Sequence, residues 1–285
     1  PIWIVRAFFD RLGNWEEVEK LLVANNLAAR PNLIAWPGLS TKEELLRNGG
    51  SEIDFLSFGV ISDSTPDSIT AIKERRAGVQ DAGSQYLTEL FLATNNSPNL
   101  EWLDLCAAPG GKAKYIYESL GHKHFTANEI NTSRFGLLKQ LLPSEILLNL
   151  DGRESRSFPS KYDRILIDAP CTGLGALRRR PEARWRKSIS DLKELIKIQR
   201  ELVDSAVVMS NPGGLIAYAT CSPHLLETKA QVADALNRHK GLELLSLKTL
   251  NLKSEKGIDD DGTMQLWTHR DQTDSMFLAL LRVSK

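Results

Sequence analysis

The chain is 285 residues long, with 36 basic and 36 acidic side chains, 42% hydrophobic residues and 7% aromatic residues. That apolar fraction excludes a disordered or low-complexity chain, and the length suits a domain of about 200 residues with a smaller companion. No run approaches the roughly 18 apolar residues of a membrane span and no basic-then-apolar leader opens the sequence, so no membrane partner is expected. Three cysteines (Cys106, Cys171, Cys221) make no disulfide framework and favour a reducing, cytoplasmic setting. Zero net charge argues against a nucleic-acid partner on average, but a neutral total can hold a concentrated basic patch. The sequence opens on Pro1 rather than Met and is read as a piece of something longer; a monomer is expected.

Residues 1–77 read as a small N-terminal α/β domain holding Trp3, Trp15 and Trp36, with a helical pattern near Glu16–Asn26. The polar stretch Ser62–Ser68 is turn-forming. A helical pattern follows from Ser84 to Ala93, within a second domain spanning 78–285. From Leu100 onward, apolar runs (Leu100–Leu105, Phe125–Ala127, Ile146–Leu150, Ile165–Ile167, Leu215–Ala219) alternate with helical segments. Those segments lie near Lys112–Leu120, Thr132–Leu142, Leu192–Met209 and Leu226–Leu236. The alternation predicts βαβ units and a mostly parallel sheet, a Rossmann-like α/β fold. Leu242–Leu247 and Met276–Val283 read as an antiparallel edge.

Ligands bind such sheets beyond the carboxyl ends of the strands, so the residues after each run matter most. The first run leads into Cys106-Ala107-Ala108-Pro109-Gly110-Gly111-Lys112, a small-residue turn that lets backbone N–H groups approach a ligand at a helix N-terminus. It carries neither the dinucleotide glycine fingerprint nor a phosphate loop, which makes a nicotinamide-dependent dehydrogenase a distant alternative. The second run ends at Glu129, about 20 residues on, where an acid reaches ribose hydroxyls. The third ends at Asp151 and the fourth at Asp168. Each acid alone is as readily a cap or turn residue. In register at one rim they suit a nucleoside with a positive centre, such as S-adenosylmethionine.

Two cysteines follow strand ends: Cys171 in Asp168-Ala169-Pro170-Cys171, and Cys221 in Thr220-Cys221-Ser222. A lone apolar cysteine is usually core filling. The spacing excludes a zinc site, since no C-x-x-C or H-x-E is present, so no metal is expected. Two convergent cysteines do suit methylation at carbon 5 of cytosine. A thiolate adding to carbon 6 makes carbon 5 nucleophilic, and a second group then serves the release step.

The motifs DLCAAPGGK (Asp104–Lys112), DAPC (Asp168–Cys171) and YATCS (Tyr218–Ser222) resemble those of the Nop/Sun family of RNA cytosine-5 methyltransferases, and within it the bacterial Sun/Fmu type acting on small-subunit (16S) ribosomal RNA. The likeness runs through Val79–Gln85, Arg178–Trp185, Gln199–Glu201 and Leu266–Phe277, covering roughly residues 75 to 284. It implies a seven-stranded S-adenosylmethionine-dependent domain in which the Cys106–Lys112 loop holds the methionine part of the cofactor. It further implies Glu129 at the ribose, Asp151 facing the adenine and Asp168 beside the methyl donor. Cys221 is implied as the nucleophile and Cys171 as the aid to product release. Glu129 replaces a more usual Asp, Thr172 a frequent Ser, and Thr268 a common Pro. The N-terminal helical RNA-binding domain of the full-length bacterial enzyme is not recognised in this sequence.

Leu177–Lys187 holds six basic residues and one acid directly after the Cys171 turn. Arg178, Arg179, Arg180 and Arg184 read as phosphate contacts and Trp185 as a stacking platform for an unpaired base; Lys73, Arg75 and Arg76 extend the path. Asp259-Asp260-Asp261-Gly262 reads as an exposed turn without a function. The expected substrate is RNA, with ribosomal RNA ahead of transfer RNA. A ribosome-assembly factor that binds RNA without turnover is the alternative of a different class.

Overall fold

A computed structural model describes residues 1–284. Its main sheet runs, in spatial order, Leu242–Leu245, Phe277–Val283, Ser210–Thr220, Tyr162–Asp168, Trp102–Asp104, Phe125–Asn128, Leu147–Leu148. The last five of these pair in parallel, and Phe277–Val283 is antiparallel to both of its neighbours. An unforeseen two-residue strand, Met264–Gln265, also pairs with Phe277–Val283; two residues are too few to show a period.

Both faces of the sheet are covered, which is why its strands read as unbroken apolar runs. Leu166, Ala217, Leu278 and Leu280 pack on one face under helices Ala82–Leu92 and Gly111–Ser119, among Leu87, Phe91 and Ile116. Their alternating neighbours Ile165, Ile167, Ile216, Tyr218, Phe277 and Leu281 pack on the other, under helices Ile189–Met209 and Lys229–Arg238. The long Ile189–Met209 helix opens with a capping box, in which the Ser188 side chain and Asp191 satisfy each other's backbone N–H groups. Helix Thr132–Leu138 stops short of the expected Leu142. Pro143 offers no N–H donor and disfavours helical backbone before it, so the chain leaves through short i→i+3 turns.

The first 79 residues contain two pieces. Asn32–Ala35 lies between Gly59–Ser62 and Ala77–Val79 in a small antiparallel sheet, with Gly50–Glu52 at its edge. Before it come helices Ile2–Leu12 and Trp15–Ala24, separated by Gly13 in left-handed conformation (φ 65°) and the cap Asn14. Ile4, Phe8, Val18 and Leu21 of this helical pair pack on Leu174, Leu177 and Trp267. The pair thus shares a core with the segment that follows Cys171. The Asp259–Asp261 turn is tied down by Lys229, 2.8 Å from Asp259 and 2.7 Å from Asp261. Among the described residues no helix is long and apolar enough to cross a membrane.

Candidate active site

Parallel register aligns the strand ends: Asp104 lies opposite Leu166, and Asp168 opposite Ala219. The glycine turn, Glu129, Asp151, Asp168 and both cysteine turns therefore open on one rim. Gly110 starts the helix Gly111–Ser119 at φ +117°, and a Cβ there would come within 2.8 Å of Leu141, so this turn has room only for glycine. Lys112 in the first helical turn reaches across to Asp168, Nζ to Oδ2 at 2.8 Å. Burial alone would pull the Lys112 ammonium down, but Asp168 outweighs it and holds the pKa above its ordinary value.

Glu129 is buried; one oxygen accepts from the Asn131 N–H at 2.8 Å and the other lies 3.8 Å from Arg134. Arg134 also donates to the Ala108 carbonyl, joining Glu129 to the glycine turn. Asp151 is clasped by Arg153, Nε to Oδ1 at 2.9 Å and Nη2 to Oδ2 at 2.6 Å, which holds its carboxyl below the usual range. Burial raises the Cys106 thiol, an inert part of the turn.

One carboxylate at this rim escaped the sequence analysis. Asp104 is fully buried, and neither of its oxygens has a hydrogen-bond partner. Burial first, then the charge of Asp168, pushes it up to about 8, against relief from Lys112. A raised carboxyl disfavours the folded state as pH climbs, because the unfolded chain gives up its proton near 3.8 while the folded one keeps it until about 8. Asp104→Asn has no charge to desolvate, so it should raise the melting temperature by several degrees at pH 8 and hardly at pH 4. Thermal melts across that interval test this; an equal gain at both ends would show that Asp104 does not titrate there.

The cysteines meet as their strand ends require. Cys171 Sγ and Cys221 Sγ lie 3.3 Å apart, both half-buried. The hydrogen bond to Cys221, reinforced by burial, raises the Cys171 thiol well above its ordinary value, so Cys171 keeps its proton. Two cations, Lys112 and Arg179, stand close enough to feel charge on Cys221. The two turns are stitched together by Thr172 Oγ1 and Ser222 Oγ at 3.2 Å, a contact the Thr-for-Ser departure preserves. Gly175 N–H donates to the Cys221 carbonyl at 2.9 Å, and a Cβ on Gly175 would lie 2.2 Å from the Ser275 carbonyl oxygen, so only glycine permits this approach. Behind the turns lies another group the motifs did not reveal, the fully buried Glu227, bonded to Thr172 and Gln199.

The basic segment divides. Arg178 is 11% exposed and pairs with Asp81 at 2.9 Å, while Arg179 pairs with Asp274. Arg184 donates to the Asn25 carbonyl at 2.8 Å, joining the N-terminal helices. These three arginines, expected on the RNA path, are engaged by protein partners, though Arg179 stays exposed; Arg180 is exposed, and Trp185 stands 78% exposed on the short helix Ala183–Arg186. In the small domain Arg76 is forked on Glu44, both contacts 2.7 Å, and Arg75 donates to the Gln140 carbonyl at 2.7 Å.

The rim fits S-adenosylmethionine: a glycine-walled helix start for the carboxylate and acids at successive strand ends for hydroxyls and amine. Fold and rim together define a Rossmann-like methyltransferase of the S-adenosylmethionine-dependent class. The chain belongs to the family described as 16S rRNA methyltransferase RsmB/F, which matches residues 90–282.

It is 43% identical to a putative methyltransferase (Rv1407) of Mycobacterium tuberculosis, over 99% of this chain and 63% of that protein. It is 34% identical to ribosomal RNA small subunit methyltransferase B of Pectobacterium carotovorum, over 75% of this chain and 49% of that one. The chain thus spans about half to two thirds of the length of these curated relatives. Among solved structures it is similar to PH0851 (TM-score 0.86, 28% identity), covering all of this chain and 66% of the other. It shares its fold with NSun6 from Pyrococcus horikoshii with SFG (TM-score 0.84, 17% identity), covering 100% and 98%.

Proposed function

We propose that this protein is a cytoplasmic, monomeric enzyme that methylates carbon 5 of a cytosine in RNA, ribosomal RNA of the small subunit ahead of transfer RNA. The observation that carries the reading is the 3.3 Å approach of Cys171 and Cys221 at one rim with Lys112 and Asp168. Cysteines at the ends of adjacent parallel strands are what covalent activation of a cytosine asks for, and a family of 16S rRNA methyltransferases supplies the RNA class.

In this reading the Cys106–Lys112 turn holds the methionine part of S-adenosylmethionine, Glu129 the ribose, Asp151 the adenine edge, and Asp168 lies beside the sulfonium. Bound there, the cofactor supplies an electrophilic methyl group. Cys221 attacks carbon 6 of the cytosine as the thiolate, and carbon 5 becomes nucleophilic. On release, Cys171 gives its proton to the departing Cys221 sulfur and takes the carbon 5 proton in turn, which restores both the C5=C6 bond and its own thiol. Cys221 then loses its proton to solvent before the next attack. The base must be unpaired, because a stacked cytosine hides carbon 6. Arg180 and Trp185, exposed beside the turn, are the phosphate and stacking contacts, and the small N-terminal domain is the accessory RNA surface.

Transfer of labelled methyl to unmodified small-subunit rRNA and to a tRNA pool tests the substrate. Label recovered as 5-methylcytosine in rRNA is the expected result. Label confined to tRNA would move the enzyme to that RNA, and label at another atom would remove the cysteine mechanism.

A further inference from the structure

The Cys171 turn is held from behind by a buried network that the proposed chemistry has not used. Glu227 is wholly buried on the short turn Leu225–Glu227, just after the Cys221 strand. One carboxylate oxygen accepts from the Thr172 N–H at 2.8 Å and from Gln199 Nε2 at 3.1 Å. The other accepts from the Thr172 hydroxyl. Gln199 Nε2 also donates to the Pro170 carbonyl at 2.9 Å, so both neighbours of Cys171 are fastened to one carboxylate–amide pair. Tyr218 closes the network, its single hydroxyl proton shared between the Glu227 carbonyl at 2.8 Å and Gln199 Oε1 at 3.2 Å.

A buried carboxylate is costly, and apolar side chains would fill this space at less expense. What the carboxylate adds is direction. It accepts from both the backbone and the side chain of one residue, which fixes the rotation of the turn. We propose that Glu227 is the positioning residue of Cys171: by clamping Thr172 it sets the Cys171 sulfur against that of Cys221 and keeps it in the role of proton carrier for product release. This rests on the function proposed above. The groups that feel the Glu227 charge are Cys171 on the clamped turn, Tyr218 on the neighbouring strand and His224 on its own turn. Negative charge there raises the Cys171 and Tyr218 pKa values and opposes the burial that lowers His224.

The test reads Cys171 without RNA. In Glu227→Gln, iodoacetamide labelling of the Cys171 peptide, followed by mass spectrometry as a function of pH, should be about tenfold faster at pH 8 than in the parent, because loss of the nearby negative charge favours the thiolate. Cys106 in the same samples serves as the reference. With RNA, turnover should fall by about 10²-fold with KM little changed, as the sulfur is misplaced, and protein–RNA adduct should accumulate. A folded Glu227→Gln protein with an unchanged Cys171 labelling profile overturns the proposal. If that variant does not fold, Thr172→Val and Thr172→Ser decide. Val loses the hydroxyl contact and should shift Cys171 labelling the same way; Ser keeps the contact and should restore the parent profile. Identical Val and Ser profiles would reject the clamp. Failure of Cys221→Ala to affect methylation would reject the underlying reading, whatever the labelling shows.

Discussion

Cys221→Ala should lower methyl transfer by on the order of 10⁴-fold or more, because the remaining thiol at the rim, Cys171, is held in its protonated form and is a poor nucleophile. The loss should be chemical rather than structural. The side chain is only half-buried, and the backbone contact that places it, the bond from Gly175 N–H to the Cys221 carbonyl, survives the substitution. Binding of S-adenosylmethionine and the melting temperature should be close to those of the parent.

Cys171→Ala should fail differently. Attack and methylation proceed, but the carbon 5 proton has no carrier, so the methylated RNA stays attached to Cys221. A denaturing gel should show an RNA-shifted protein band in Cys171→Ala and none in Cys221→Ala or in the double variant. A band in Cys221→Ala would mean that Cys171 is the nucleophile. Full activity in Cys221→Ala would favour an RNA-binding assembly factor over a cytosine methyltransferase.

The strand ends were legible because both faces of the sheet are covered. Such strands read as apolar runs, and the first polar or glycine residue after each run marks the rim. Glu129, Asp151, Asp168, Cys171 and Cys221 all lie within a few positions of the end of such a run, and parallel pairing through Asp168 and Ala219 brings the two cysteine turns together. The supports were not legible, because they depend on distant contacts. Glu227 lies 55 residues from Thr172 and 28 from Gln199, and no local period announces a residue whose partners come from a distant turn and another helix. Asp104 sits inside a recognised motif, yet it read as strand sequence because its importance lies in having no partner. The helical pair at the N-terminus was half visible. Its second helix showed a pattern, but nothing in residues 1–24 foretells that their core is completed by Leu174, Leu177 and Trp267.

The arginine run shows where pattern and structure part most sharply, and Arg178→Ala should carry the largest cost in stability. The sequence offers Arg178 to phosphate. In the fold it points inward to Asp81, which caps helix Ala82–Leu92 and accepts from Asp274 N–H at 3.0 Å. Asp81 and Asp274 side chains are each 1% exposed. Asp274, raised by burial and then by the charge of Asp81, is the strained member of this group. Removing Arg178 leaves two buried carboxylates with only Arg179 beside them. Breaking a buried pair costs about 3–5 kcal/mol, and the remaining cation puts the expected loss near the lower end. At roughly 2–4 °C per kcal/mol for a chain of this size, the melting temperature should drop by about 10 °C. Arg180→Ala and Trp185→Ala should leave it unchanged while weakening RNA binding, and Arg180→Ala should reduce the salt dependence of binding by about one phosphate contact. If Arg178→Ala instead melts like the parent and weakens RNA binding as Arg180→Ala does, then Arg178 faces the RNA. The N-terminal cap of Ala82–Leu92 would then have to be held by Asp81 alone.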